Sequence, residues 1–486
     1  MVFSEAVFLF LFLPVTLLVY YLPGVRSVRF RNIWLLLVSL GFYAWGEPVY
    51  VFLMVFSILV NWLLGLWTAR RRANPAKRGK GIVALACGYN LGMLFVFKYL
   101  NWLLVGFGLA RPGGVFDLKL PIGISFYTFQ ALSYVIDVYR GKDEAQRNII
   151  DAGLYIAFFP QLIAGPIVRY GSIAEQLKNR PHSFGLFADG VWRFSIGLSK
   201  KLILADRLAD IVKLTFENTG SGLSVAMSWV GALAVMMQIY FDFSGYSDMA
   251  IGLGRMFGFH FQENFNYPYI ARSVTEFWRR WHISLGAWFR DYLFYPLSLG
   301  PAVRLRRAVA ARTNRRIAAH VSGAFVLFVV WMSTGLWHGA NLTFVVWGLL
   351  QFIFIFAEQY RKPAGGKKTD AAVGFVTTFL LVLTMSVLFQ ADSLAHAASY
   401  YASMFHLNGN SLLDAAGLYW IGQYKVFLTA GLVFIFPVAE KLGGLCRGRG
   451  EAVWPAVKAV LMTGLLAVDI SYVFGGGYSP FIYFNF

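Results

Sequence analysis

The sequence predicts an all-α, polytopic integral membrane protein. Three observations carry this. Hydrophobic residues make up 58% of the 486 positions and aromatic residues 18%. Charged residues reach only 14%, against about 25% in an ordinary soluble chain. The apolar residues also gather in runs of membrane-crossing length, separated by short basic loops. At about 20 residues per crossing, the chain has room for roughly ten or more transmembrane helices, with re-entrant and interfacial helices between them. Disorder and collagen are excluded by the same figures.

The elements follow in order. Val7–Leu22 is the first apolar run, interrupted by Pro14 and Thr16. It has no basic residue before it and no A-x-A cleavage site, so it reads as a retained helix. Ile33–Trp45 and Tyr50–Trp67 flank the turn Gly46-Glu47-Pro48 and read as a helical hairpin, and Ile82–Val105 follows. Leu120–Tyr139 and Ile149–Val168 carry Pro121, Gly123, Pro160, Gly165 and Pro166. Broken segments of this kind are re-entrant where protein or water satisfies the freed backbone groups. Val225–Phe243 runs into the small-residue tract Asp242 to Asp248. Val321–Trp337, Leu342–Ala357, Ala371–Phe389, Val426–Val438 and Val453–Val473 complete the series. No repeat is evident, and the chain reads as a single membrane domain over residues 1–486.

The net charge is +19. About half of the 43 basic residues lie in five short loops, at 24–32, 70–80, 304–316, 361–368 and 447–449. Topology and anionic membrane lipid account for them, and no nucleic-acid partner is expected. The positive-inside tendency places all five loops in the cytoplasm, with Gly46-Glu47-Pro48 and both termini outside. Cys87 and Cys446 form neither a CxxC pair nor a readable disulfide framework.

The sequence has no G-x-S-x-G elbow, no H-E-x-x-H and no Walker A pattern. Gly252, Gly254 and Gly258 miss the dinucleotide spacing by one residue. His182, His260, His320, His396 and His406 lie in loops or at segment ends and read as solvated or interfacial. His338 differs. It stands in Gly335-Leu336-Trp337-His338-Gly339-Ala340-Asn341, with no Asp, Glu, Lys or Arg from Val321 to Ala357. An ionisable group at that depth is costly unless it lines a cavity or has partners, which favours function over a locally satisfied turn histidine.

His282 lies in Glu276-Phe277-Trp278-Arg279-Arg280-Trp281-His282-Ile283-Ser284-Leu285, followed by Arg290 and Asp291. On spacing alone an interfacial helix with snorkelling arginines is favoured. The second reading is a lining for an anionic ligand such as coenzyme A, because guanidinium groups bind phosphates well. Asp242 and Asp248 can orient a histidine, bind a cation or satisfy broken backbone, and the structural role is slightly favoured.

These tracts resemble the membrane-bound O-acyltransferase family, on the branch serving bacterial alginate O-acetylation. The matching pieces are Met1-Val2-Phe3-Ser4 with its Phe/Leu run, Pro121 to Tyr127, Leu162 to Pro166, Tyr240 to Ala250, Glu276 to Leu285 and Gly335 to Asn341. The likeness is strongest over residues 1–350. It implies transfer of an acetyl group from cytoplasmic acetyl-CoA to an extracytoplasmic hydroxyl in the bacterial inner membrane. An extracytoplasmic acetyltransferase partner and a polysaccharide acceptor are implied with it. Alginate is the leading acceptor; peptidoglycan or another envelope glycan is the alternative. His338 matches the family's catalytic histidine and His282 its second characteristic position. Arg279, Arg280 and Arg290, with Trp281, are the candidates for holding the donor. Asp242, Asp248 and Asn341 are orienting or structural polar groups, and no metal is expected. A neutral imidazole, with an unperturbed pKa of about 6.5, can take the proton of an attacking hydroxyl. The competing class is a secondary transporter or flippase, which calls for related halves that this chain lacks.

Overall fold

The computed structural model describes residues 1–22, 27–72, 79–109, 118–219, 222–360, 368–449, 454–475 and 481. Parts of three basic loops, at 24–26, 73–78 and 361–367, lie outside the described residues, as do the side chains of Lys368, Cys446, Arg447 and Arg449. Among the described residues the secondary structure is entirely helical. Six helices are long and apolar enough to cross a membrane: Tyr50–Arg72, Lys80–Gly106, Val225–Met256, Arg315–His338, Thr369–Gln390 and Trp454–Gly475. A seventh crossing arises if the pair Ala415–Phe434 and Val438–Gly444, bent by 66°, forms one span. The other apolar runs fold as shorter helices, including Phe8–Tyr20 and Leu342–Glu358. This is an integral membrane protein, and prolines and glycines within its apolar runs are why fewer helices reach full length.

The chain forms two compact units. The first holds Met1–Leu198, Gly245–Glu263 and Ile470–Asn485. Within it, Ser27 caps Val28–Gly46 by accepting a hydrogen bond from the Phe30 amide. Gly46-Glu47-Pro48 turns the chain into Tyr50–Arg72, as the hairpin reading expects. Asn61 and Asn90 exchange amide hydrogen bonds of 3.2 and 2.8 Å between Tyr50–Arg72 and Lys80–Leu94. Such reciprocal pairing satisfies polar side chains away from water. The Pro/Gly-broken region becomes Ile124–Arg140, then Ile149–Ala157 and the single turn Phe159–Leu162. Gly123, at φ +74°, starts the first of these, and a Cβ there would sit 2.7 Å from the Leu162 carbonyl oxygen.

The second unit holds Ser199–Ser244 and Asn264–Asp469. Its centre is the antiparallel pair Arg315–His338 and Leu342–Glu358, which matches the two apolar runs around His338. Glycines let the two backbones touch. A Cβ on Gly348 would fall 2.7 Å from the Trp331 carbonyl oxygen, and one on Gly335 would overlap the Phe344 carbonyl. The stretch read as an interfacial helix is interrupted once, at Trp281-His282: Val274–Arg280 ends there, and Ile283–Phe289 continues through the π-helical turn Arg290–Phe294 into Tyr295–Leu299. The Glu358 carboxylate accepts from the amides of Val274 and Thr275 and from the Thr275 hydroxyl, which fixes the start of that stretch on the helix pair.

Candidate active site

Within the second unit the two singled-out histidines come together. His338 is the last residue of Arg315–His338 and is 3% exposed. The chain then leaves the helix through Gly339, where a Cβ would strike the Phe344 ring at 2.5 Å. Asn341 closes the turn. Its side chain accepts from the Thr343 amide at 3.1 Å and donates to the Asp392 carbonyl at 2.8 Å, so it caps Leu342–Glu358 and anchors the turn. The imidazole of His338 is ringed by Trp337, Trp347, Phe389 and Phe344, with centroids 5.1, 5.2, 5.0 and 6.1 Å away.

His282 is 2% exposed and sits between two short helices in the left-handed region, at φ 43°. This conformation costs a non-glycine residue of order 1–3 kcal/mol and is held by its surroundings. Asn264 supplies the hold. Its Oδ1 lies 3.1 Å from His282 Nδ1 and also accepts from the Ser284 amide at 3.2 Å and the Ser284 hydroxyl at 2.8 Å. Three donors on one amide oxygen place the His282 proton on Nδ1 and the ring's lone pair on Nε2. The Phe243 ring meets the imidazole edge-on at 4.7 Å. Trp337 links the two histidines, 5.9 Å from the ring of His282 and 5.1 Å from that of His338. Burial, and secondarily the neighbouring His338, hold His282 well below the usual histidine pKa, so it is neutral at physiological pH.

The predicted acidic residues are engaged elsewhere. Asp242 Oδ1 pairs with Lys201 Nζ at 2.7 Å, and the same ammonium reaches Asp206 at 2.8 Å. Lys201 is 2% exposed and begins, with Lys200, the π-helical turn Lys200–Ala205. Of the roles open to Asp242, binding a cation is the one adopted, and the cation is a side chain. Asp248 belongs to the first unit, where Arg193 binds it at 2.7 Å and reaches Glu263 at 2.6 Å.

The arginines separate in the same way. Arg280 is tied to Glu276 at 3.0 Å and to the Asn266 carbonyl, and Arg290 lies 3.0 Å from Asp291. Arg279 is exposed. Trp281 is 8% exposed and stacks on Phe277 at 5.6 Å, within a cluster that includes Phe265 and Tyr269. Sequence reasoning missed Asn264, Lys201, Arg193 and Glu358. None carries a local motif; each matters through a partner distant in sequence. Among the described residues no group of His, Cys, Asp and Glu can hold a metal ion.

This arrangement holds two buried imidazoles in an aromatic enclosure, that of His282 neutral and with its tautomer fixed. That is the equipment of general-base chemistry. Comparison with known proteins adds the family. Residues 145–364 match MBOAT, the membrane-bound O-acyltransferase family, and this region contains both histidines. The chain is 39% identical over its whole length to the whole of the probable alginate O-acetylase AlgI of Pseudomonas putida. It is 43% identical to that of Pseudomonas aeruginosa, over 83% of this chain and 75% of the relative. The peptidoglycan O-acetyltransferase of Helicobacter pylori is 30% identical, over 100% of this chain and 98% of the relative. The chain belongs to the membrane-bound O-acyltransferase family.

Proposed function

We propose that this protein moves an acetyl group from cytoplasmic acetyl-CoA to a hydroxyl of an extracytoplasmic polysaccharide, from the bacterial inner membrane and as one membrane domain. The observation that carries the reading is the buried pair His282 and His338 around Trp337, enclosed by aromatic rings. In this scheme His338 takes the proton of the acceptor hydroxyl as its oxygen attacks the thioester carbonyl. The carbon–oxygen bond forms, the carbon–sulfur bond breaks, and the departing thiolate takes up the proton. His282 positions the thioester. Arg279, Arg280 and Arg290 with Trp281 serve the donor side, and among the described residues Arg279 meets solvent without an ion pair. An extracytoplasmic acetyltransferase partner completes delivery to the glycan.

Alginate is the acceptor we favour, because the probable alginate O-acetylases are about 40% identical over most or all of the chain. Peptidoglycan is the second reading, supported by the Helicobacter pylori relative that aligns from end to end. The test is the purified protein in proteoliposomes with radiolabelled acetyl-CoA, offered alginate or peptidoglycan fragments on the opposite face. Thiol release with ester formation on one glycan is expected. Substrate flux without thioester cleavage would instead make the protein a transporter.

A further inference from the structure

A second buried polar cluster lies in the first unit, made of residues that the acyl-transfer scheme does not use. Arg180 is 4% exposed. Its Nε donates to the Tyr20 hydroxyl at 2.9 Å and the Phe257 carbonyl at 3.2 Å, and its Nη1 donates to Asn32 Oδ1 at 2.8 Å and the Gln176 carbonyl at 3.1 Å. The guanidinium rests on the Phe259 ring, 4.4 Å from its centroid. Among the described residues no carboxylate lies within ion-pair distance of Arg180. Asp151 comes near only as an acceptor from Asn32.

Arg180 is not the only cation there. The guanidinium of Arg31 stands 5.1 Å from the centre of the Tyr20 ring, that of Arg180 5.7 Å, and the His182 imidazole 5.5 Å. Arg31 also has no carboxylate partner among the described residues. Three nitrogens of this cluster, Arg180 Nη2, Arg31 Nε and His182 Nδ1, are buried without a hydrogen-bond partner among the described residues. Burial, then the charges of Arg31 and Arg180, push the His182 pKa down to about 4. The backbone is shaped to admit the imidazole. Gly258 has φ +82°, and a Cβ there would lie 2.8 Å from His182 Cε1.

A buried charge is normally paired, and a buried donor normally bonded. Two guanidinium groups around one ring, with no carboxylate partner among the described residues, form a cationic cluster suited to an anion. We propose that Arg180, Arg31 and His182 bind a phosphate group. Guanidinium forks match phosphate oxygens, and a phosphate has enough acceptor atoms for all three nitrogens, which a halide lacks. Arg31 and His182 are only partly buried, so rotation of their side chains opens the cluster to an incoming anion. The phosphate belongs either to a membrane phospholipid headgroup or to a soluble phosphate compound.

The experiment uses the full chain in detergent, with native mass spectrometry for bound phosphatidylglycerol and equilibrium dialysis for inorganic phosphate. Retention of the phospholipid identifies a headgroup site; binding of inorganic phosphate identifies a free-phosphate site. In either case Arg180→Gln should weaken binding about tenfold or more, as expected for loss of a charge-assisted contact. Arg31→Gln and His182→Gln should weaken it less. Arg180→Gln can fail to fold, since Arg180 joins Gln176 to Phe257, and the two less buried variants then decide. If Arg31→Gln and His182→Gln bind every probe as the parent chain does, or the parent binds none, the cluster is scaffolding and the proposal falls.

Discussion

The second unit buries polarity in two opposite ways. Around Trp337 it holds two imidazoles among aromatic rings, with one amide oxygen on His282. Around Lys201 it holds an ammonium between two carboxylates, with the nitrogen 2.7 and 2.8 Å from Asp242 and Asp206. Burial alone pulls the Lys201 pKa down, yet the two carboxylates outweigh it and hold the group above its usual value. Lys201 is therefore locked in its charged form. His282 is pushed the other way and kept neutral. In the proposed scheme the histidines carry the chemistry and the ion triad supplies rigidity. Asp242 and Phe243 are adjacent in sequence but serve different sites: Asp242 binds Lys201, while Phe243 meets His282.

The largest effect should come from His338. His338→Ala and His338→Gln should both reduce acetyl transfer by about 10²–10⁴-fold, the contribution of a general base. Acetyl-CoA affinity should persist. The readout is ester formation together with donor binding, on variants shown to be folded and inserted. Near-normal turnover in His338→Gln would erase the contrast, because an amide bonds but cannot accept the proton.

Lys201 should affect stability more than rate. Lys201→Met leaves the buried Asp242 and the half-buried Asp206 without this cation, and breaking a buried pair typically costs about 3–5 kcal/mol. Thermal unfolding in detergent should show it. Asp242→Asn should be milder, since Lys201 keeps Asp206. A Lys201→Met protein as stable as its parent, but inactive, would move the triad into the chemistry.

Much of this was legible in the chain. The helical membrane class, the antiparallel runs around His338 and the depth of His338 follow from composition and periodicity; His282 stands out only through the family resemblance, since spacing alone favours an interfacial helix. The partners were not legible, for a physical reason. Asn264 and His282, or Lys201 and Asp242, meet through tertiary packing, which leaves no periodic trace. Nor does the sequence separate Arg279 from Arg280. Their difference is a salt bridge to Glu276, one helical turn away. The interruption at Trp281-His282 is also tertiary: Asn264 holds His282 in the left-handed region against an amphipathic pattern that reads as one helix.

Asn264 sharpens the comparison further. Asn264→Ala should lower turnover with donor affinity nearly unchanged, at a cost of about 1–3 kcal/mol for the buried donors left unbonded. Asn264→Asp offers the same acceptor and should restore part of the loss. Because His282 is held well below its usual pKa, its ionisation should not shape the pH profile near neutrality. Full activity in Asn264→Ala would show that the fixed tautomer of His282 is not required.

The smallest effect should be at the arginines, and it separates ligand contacts from structural ones. Arg280 and Arg290 already have carboxylate partners, at 3.0 Å each, so a phosphate would have to compete with Glu276 and Asp291. Arg279 has no such partner among the described residues and faces solvent. Arg279→Ala should therefore weaken acetyl-CoA binding by several-fold to about tenfold, the low end for a charge-assisted contact because water screens it. Arg280→Ala should lower stability first, since Glu276 loses its cation and the Asn266 carbonyl its donor. Raising the salt concentration should shrink the Arg279 effect on donor binding, because screening acts most on exposed charges. Titration of each folded variant with acetyl-CoA, at low and high salt, makes the measurement. An Arg280→Ala chain that stays stable but loses donor affinity more than Arg279→Ala would reverse the assignment. The Glu276 pair would then be a resting state that the incoming phosphate displaces.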